Sequence, residues 1–128
     1  MRTLEQTRAG LAFEHVCAVQ QADETARRKY ATIVHKLPAL LVSAGLCQTL
    51  HFVKSRTEAE GRLLDHLAAQ LTRVSDRVRT GDDLLARVRE AELSEYVRLT
   101  DEAMACAAWY RRMVQAVLRL EASDGESD

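Results

Sequence analysis

The sequence predicts an all-α fold: a compact single-domain bundle of five to seven helices with one proline-marked helical corner. Three observations predict it. Apolar residues recur at i, i+3, i+4 and i+7 along most of the chain, and no stretch alternates with period two for long enough to make a strand. The composition is aliphatic and rich in Ala and Arg, with one Pro and five Gly among 128 residues, which favours helix over sheet. Capping signals then divide the chain into helix-length pieces. A chain of this length builds one core and is too short for a second domain with its own interior. Residues 1–122 are the predicted helical domain and 123–128 an acidic disordered tail.

The first helix spans 3 to about 21, with Ala9, Ala12, Phe13, Val16 and Cys17 forming an amphipathic stripe. Asp23 or Thr25 caps a second helix whose inner face is Tyr30, Ile33, Val34 and Leu37. That helix is expected to fail at Pro38, which lacks the N–H that would bond the Val34 carbonyl and disfavours helical angles at Leu37. A short helix then starts at Pro38 with Leu40, Leu41 and Ala44 inside, Gly45 takes a left-handed stop, and Leu46, Leu50 and Val53 resume the stripe to Lys54.

Two overlapping capping boxes, Ser55-x-x-Glu58 and Thr57-x-x-Glu60, open the next helix, predicted to reach about 79 with Leu63, Leu64, Leu67, Leu71, Val74 and Val78 inward. Thr80-Gly81-Asp82 reads as a stop followed by a new cap. A helix over 83 to about 93 buries Leu84, Leu85, Val88 and Ala91. Residues 94–99 offer at most one turn. Thr100, followed by Asp101 and Glu102, is the expected N-cap of a last helix running to about 122, with Ala103, Ala107, Tyr110, Val114 and Val117 on one face.

The formal charge is −1, from 18 bases and 19 acids, but its distribution matters more than its sum. Four of the acids lie in the last eight residues, leaving 18 bases against 15 acids before them. No acid occurs between 25 and 57, where Arg27, Arg28, Lys29, Lys36, Lys54 and Arg56 lie, while acids are denser at 82–102. One basic and one acidic surface result, or simply solvated helix faces. Three widely spaced cysteines without a CxxC or Cys–His spacing indicate neither disulfides nor zinc and suit a reducing cytoplasm. No run approaches the roughly 20 apolar residues of a membrane span, and the first ten residues hold no apolar signal core, so no membrane association is expected.

Enzymatic constellations are mostly missing. None of His15, His35, His51 and His66 has another His or a Glu three residues before it, so no metal site is predicted. No phosphate-cradling glycine loop or nucleophile elbow occurs, and no cofactor is called for. Cys47 and His51, four apart on one helix face, are the sole candidate nucleophile pair; core packing is the competing reading, because no orienting carboxylate stands beside them. What remains is the basic set. Lys and Arg neutralise phosphates without reading bases, so a row of them on helices can follow a nucleic-acid backbone irrespective of sequence. Aromatic residues are only 5% of the chain, which argues against base stacking as the main contribution.

The stretch LPALLVSAGLCQTLHFVKS resembles the small-subunit family of the Cmr complexes, the type III-B CRISPR effectors, at Leu37, Pro38, Ala39, Leu40, Gly45, Leu46, Gln48, Thr49, Leu50, Phe52, Lys54 and Ser55. Arg8-Ala9 with Ala12, Tyr30, and TDEAMACAAWYRRMVQA near the end extend the resemblance. His51 stands where a smaller residue is expected, and residues 58–91 carry no family mark.

The resemblance implies a helical, non-catalytic subunit that stacks with copies of itself inside an RNA-guided complex. Its partners would be guide RNA and target RNA, met through the phosphate backbone, and the backbone and large subunits of the complex. On that reading the proline corner fixes Lys36, Lys54 and Arg56 as the leading RNA contacts, with Arg8, Arg111 and Arg112 as further ones. Trp109 is either core or an interface anchor. The competing reading is a self-associating helical protein without a nucleic-acid role.

Overall fold

The structure, a computed structural model, describes residues 1–122. Six α-helices follow one another: α1 (Leu4–Val19), α2 (Glu24–Ala44), α3 (Leu46–Ser55), α4 (Glu58–Leu71), α5 (Gly81–Glu90) and α6 (Leu93–Met113), the last continued by a π-turn over Val114–Leu118. The described residues contain no strand, so the all-α reading is correct. The predicted acidic tail lies outside the described residues.

Helix starts follow the capping chemistry. Thr3 and Gln6 form a reciprocal box at α1, the Thr3 hydroxyl accepting from the Gln6 N–H at 3.1 Å. Asp23, rather than Thr25, caps α2 by accepting from the Ala26 N–H at 2.8 Å. Thr57, rather than Ser55, caps α4. Thr80 and Asp83 box the start of α5. Here Gly81 is the first helical residue and not a stop. Its N–H donates to Asp65 Oδ1 at 2.7 Å, and a Cβ would stand 2.9 Å from Leu64 Cβ, so only glycine lets α5 approach α4 this closely.

α4 occupies the centre and packs against all five other helices. Leu63, Leu64, Leu67, Ala68 and Leu71 are buried there, with His66 and Gln70 among them. Around it, α1 contributes Ala12, Val16 and Val19, α2 Tyr30, Ile33, Val34, Leu37 and Leu41, and α6 Leu99, Ala103, Cys106, Ala107 and Tyr110. Phe13, expected in the α1 stripe, is half exposed, because the buried positions are spaced i, i+4, i+7 from Ala12.

The sequence expectation fails at Pro38. α2 passes through it without interruption, so there is no proline corner. Its missing hydrogen bond is offset by packing on both sides, Leu37 and Leu41 lying fully in the core. The corner is at Gly45, with φ 84° and ψ 167°, an extended left-side conformation open to glycine rather than the left-handed helical one expected. One residue ends α2, its N–H donating to the Leu41 carbonyl at 3.2 Å, and starts α3, its own carbonyl accepting from Thr49 N–H at 3.1 Å.

Two further expectations are corrected. α4 stops at Leu71, and residues 72–80 form an irregular crossing that still buries Val78, its carbonyl accepting from the Thr72 hydroxyl at 2.7 Å. α6 begins at Leu93, so residues 94–99 are helix and Thr100 is interior. The Thr100 hydroxyl donates back to the Tyr96 carbonyl at 2.9 Å instead of capping a new start.

Candidate nucleic-acid interface

α6 lies against both α1 and α2. Its partly exposed side carries Ala105, Ala108, Trp109, Arg111 and Arg112. Two shallow hollows meet on this side. One, about 350 Å³, is lined by Pro38 of α2 with Ala108, Arg111, Arg112 and Gln115. The other, about 360 Å³, is lined by Glu5 of α1 with Ala105, Ala108, Trp109 and Arg112. Ala108 and Arg112 border both.

The six cations singled out by sequence divide by partner. Lys36, Arg111 and Arg112 are exposed and have no ion-pair partner among the described residues. Lys54 pairs with Asp82 at 3.4 Å, but the two side chains are 58% and 81% exposed, so the attraction is weak and exchangeable. Arg56 donates to Glu60 Oε2 at 2.9 Å and lies 5.5 Å above the Phe52 ring. Lys54 and Arg56 line a third hollow, of about 300 Å³, where the C-terminus of α3 meets the starts of α4 and α5. Arg62 joins them there and was not distinguished in the sequence. No single hollow gathers all six predicted cations.

Arg8 is the exception to surface placement. Its side chain is only 14% exposed; Nε and Nη2 donate to Glu102 Oε2 and Oε1 at 2.7 and 2.8 Å, and Nη1 to Glu5 Oε1 at 2.9 Å. Arg73 donates to the same Glu102 at 2.9 Å, and the Cys106 thiol does so at 3.4 Å. These hydrogen bonds, Arg8 foremost, hold the Glu102 carboxyl down at about 2, and burial beside that carboxylate pushes the Cys106 thiol up to about 12. The free oxygen of Glu5 accepts from Trp109 Nε1 at 2.9 Å. A chain of contacts therefore runs Glu102, Arg8, Glu5, Trp109. The signal that reveals Glu102 in the sequence is an acid three residues from Leu99 and four before Cys106, on the inward stripe of α6.

Deeper still lies a polar layer. His15 and His66 stack with ring centroids 4.1 Å apart; Tyr110 hydroxyl is 2.7 Å from His15 Nδ1 and Tyr30 hydroxyl 2.7 Å from His66 Nδ1. Burial, then His15 and Arg62, lower His66 to about 3, so both rings stack neutral at pH 7. Nothing in the sequence brings His15 and His66, 51 residues apart, together; the packing of α1 on α4 does. Tyr30, His66 and Tyr110 are buried and His15 partly so, and together they tie α1, α2, α4 and α6.

The Cys47–His51 pair is within reach, Sγ to Nδ1 at 3.9 Å, but the imidazole is committed elsewhere. Its Nδ1–H donates to the Cys47 carbonyl at 2.8 Å, and Nε2 accepts from Arg89 at 2.9 Å. With Nδ1 protonated and both nitrogens bonded, His51 has no lone pair aimed at the thiol.

Six helices packed around a central α4, with exposed arginines on α6, define the class of small all-α helical-bundle proteins. The match to the CRISPR-associated protein family Cas_Cmr5 extends over residues 4–117, and the chain belongs to that family of Cmr subunits of type III-B CRISPR systems. It is 37% identical over 118 residues to the CRISPR system Cmr subunit Cmr5 of Thermus thermophilus, covering 92% of this chain and 98% of that protein. The corresponding subunit of Thermotoga maritima is 26% identical over 121 residues, covering 92% and 87%. The crystal structure of a Cmr5 family protein from Thermus thermophilus superposes with a TM-score of 0.81 at 40% identity, covering 91% of this chain and 98% of that one.

Proposed function

We propose that this chain is the non-catalytic small subunit of a Cmr RNA-targeting complex, stacking with copies of itself in the interior and contacting the backbone of target and guide RNA through its cations. The observation that carries the RNA reading is the pair Arg111 and Arg112, exposed at the end of α6, bordering two hollows and lacking any carboxylate partner among the described residues. Lys36 adds a third free charge, and Lys54, whose exposed pairing with Asp82 is easily exchanged for a phosphate, a fourth. Arg56 contributes beside Lys54, while Arg8 acts through the contacts it makes at the base of Trp109. Subunit contact is supported by apolar side chains left in solvent: Leu93 at 77% and Val97 at 46%, one turn apart on α6, and Val42 at 74%.

The test is fluorescence anisotropy of a labelled single-stranded RNA across a salt series, with native mass spectrometry of the assembled complex alongside. Charge reversal by Arg111→Glu with Arg112→Glu, and separately Lys36→Glu with Lys54→Glu, is expected to preserve folding, because all four are exposed, whereas Arg56 neutralises the buried Glu60. Each should weaken RNA binding and flatten the salt dependence by about two counterions. Unchanged affinity and slope in both double variants, with the subunit still assembling, would leave only the structural reading.

A further inference from the structure

We infer that Trp109 is the stacking platform of a single-nucleotide site for single-stranded RNA on α6, with Arg112 as its phosphate ligand; this rests on the RNA reading above. The indole is only partly buried and its remaining surface lines the hollow with Ala105, Ala108 and Arg112. Trp109 and Arg112 are three apart on a helix and so share a face. Ala105 and Ala108 keep the floor low, and the volume of about 360 Å³ lies at the small end of the range for compact ligands, as a single nucleotide requires. The adjoining hollow shares Arg112 and adds Arg111, so the path continues past the base to a second cation.

Charge selects RNA over an acidic or apolar protein partner as the occupant. The one carboxylate in this lining, Glu5, has one oxygen on Arg8 and the other on Trp109, which leaves Arg112 as its unsatisfied charged group. Glu5 and Arg8 are positioning residues. By accepting from Nε1, Glu5 fixes the indole plane, and Arg8, itself held by Glu102, fixes Glu5. An aromatic face beside free guanidiniums binds any base by stacking while the backbone is held by charge.

The protein contains one tryptophan, so its emission reports this site alone. The full chain is titrated with fluorescein-labelled oligouridylate at low salt, following RNA anisotropy and, with unlabelled oligouridylate, Trp109 emission. The expected result is quenching that tracks the binding curve. Arg112→Ala is expected to weaken binding, and Ala108→Leu, which fills the floor of the hollow from an exposed helix position without changing any charge, to abolish quenching and cut affinity about tenfold, the size of one base–aromatic stack. Glu5→Gln is expected to lower the steady-state anisotropy of Trp109 emission in the free protein while circular dichroism is unchanged. Binding by RNA anisotropy with Trp109 emission unmoved overturns the platform and leaves the backbone path standing. Absence of any binding overturns both. An emission change that follows protein concentration without RNA overturns it in favour of a second copy covering the hollow.

Discussion

Arg8 and Glu102, 94 residues apart in sequence, are joined by two parallel hydrogen bonds of 2.7 and 2.8 Å that fasten α1 to α6. The Glu102 side chain is 9% exposed, so its charge depends on that fork and on Arg73. Removing one partner of a buried pair leaves an under-compensated charge. Arg8→Ala is expected to destabilise by about 3 kcal/mol, measured by urea unfolding. Arg8→Lys should recover less than half of that, because an ammonium cannot make the two-point contact. Equal stability of Arg8→Lys and the unaltered protein would show that the geometry of the fork is immaterial.

Acid should loosen the fold through the stacked histidines before it reaches the carboxylates. His66 is held down at about 3 by burial, then by His15 and Arg62, while in the unfolded chain it binds a proton near 6.5. The native state therefore holds fewer protons between those values. Its stability is full above pH 6.5 and declines as the pH falls through 6.5 toward 3, by about 2 kcal/mol at pH 5. His15, also lowered by burial, acts in the same direction. Glu102, held at about 2, adds a loss that begins as the pH falls through the ordinary carboxylate range and is complete near 2. Comparing urea midpoints at pH 7 and pH 5, His66→Gln, which can still accept from Tyr30, should lose less than the unaltered protein. Parallel losses would assign the acid sensitivity to other groups.

The helical class and most helix starts were legible because they depend on local rules: Thr3, Asp23, Thr57 and Thr80 each cap through a side chain three residues from its partner. Errors arose where a local signal met a tertiary one. Pro38 and Thr100 carry strong boundary signals, yet both lie inside 21-residue helices whose cores extend to either side. The cations were legible as residue types but not as free or paired. Nothing local distinguishes Arg8, engaged by carboxylates on two helices, from Arg111 and Arg112 in solvent. The Glu5–Trp109 contact, 104 residues apart in the chain, was invisible for the same reason.

Glycine replacements should differ in sign with backbone conformation. At Gly45 an added Cβ would meet only the Tyr96 hydroxyl, at 3.8 Å, so the penalty there comes from φ 84° itself. Gly45→Ala is expected to cost about 2 kcal/mol. Gly61, inside α4, has nothing within 4 Å of the place an added methyl would take, so Gly61→Ala should stabilise by about 0.5–1 kcal/mol. Thermal midpoints moving in opposite directions would confirm the assignment; a neutral Gly45→Ala would show that the corner relaxes.

Pro38→Ala separates a continuous α2 from a chain that breaks there. In a continuous helix, proline forfeits one hydrogen bond and crowds the Val34 carbonyl, at a cost of about 3 kcal/mol. Alanine recovers most of that and gives back up to about 1 kcal/mol through greater freedom of the unfolded chain. The variant is therefore expected to be more stable by about 2 kcal/mol, with a higher urea midpoint and an unchanged slope. Were Pro38 instead the first residue of a separate helix, its fixed φ would be an asset there, and replacement would lower the midpoint. The sign alone decides, and because Pro38 also borders the hollow beside Arg111 and Arg112, RNA affinity measured on the same variant tests whether that wall matters to binding.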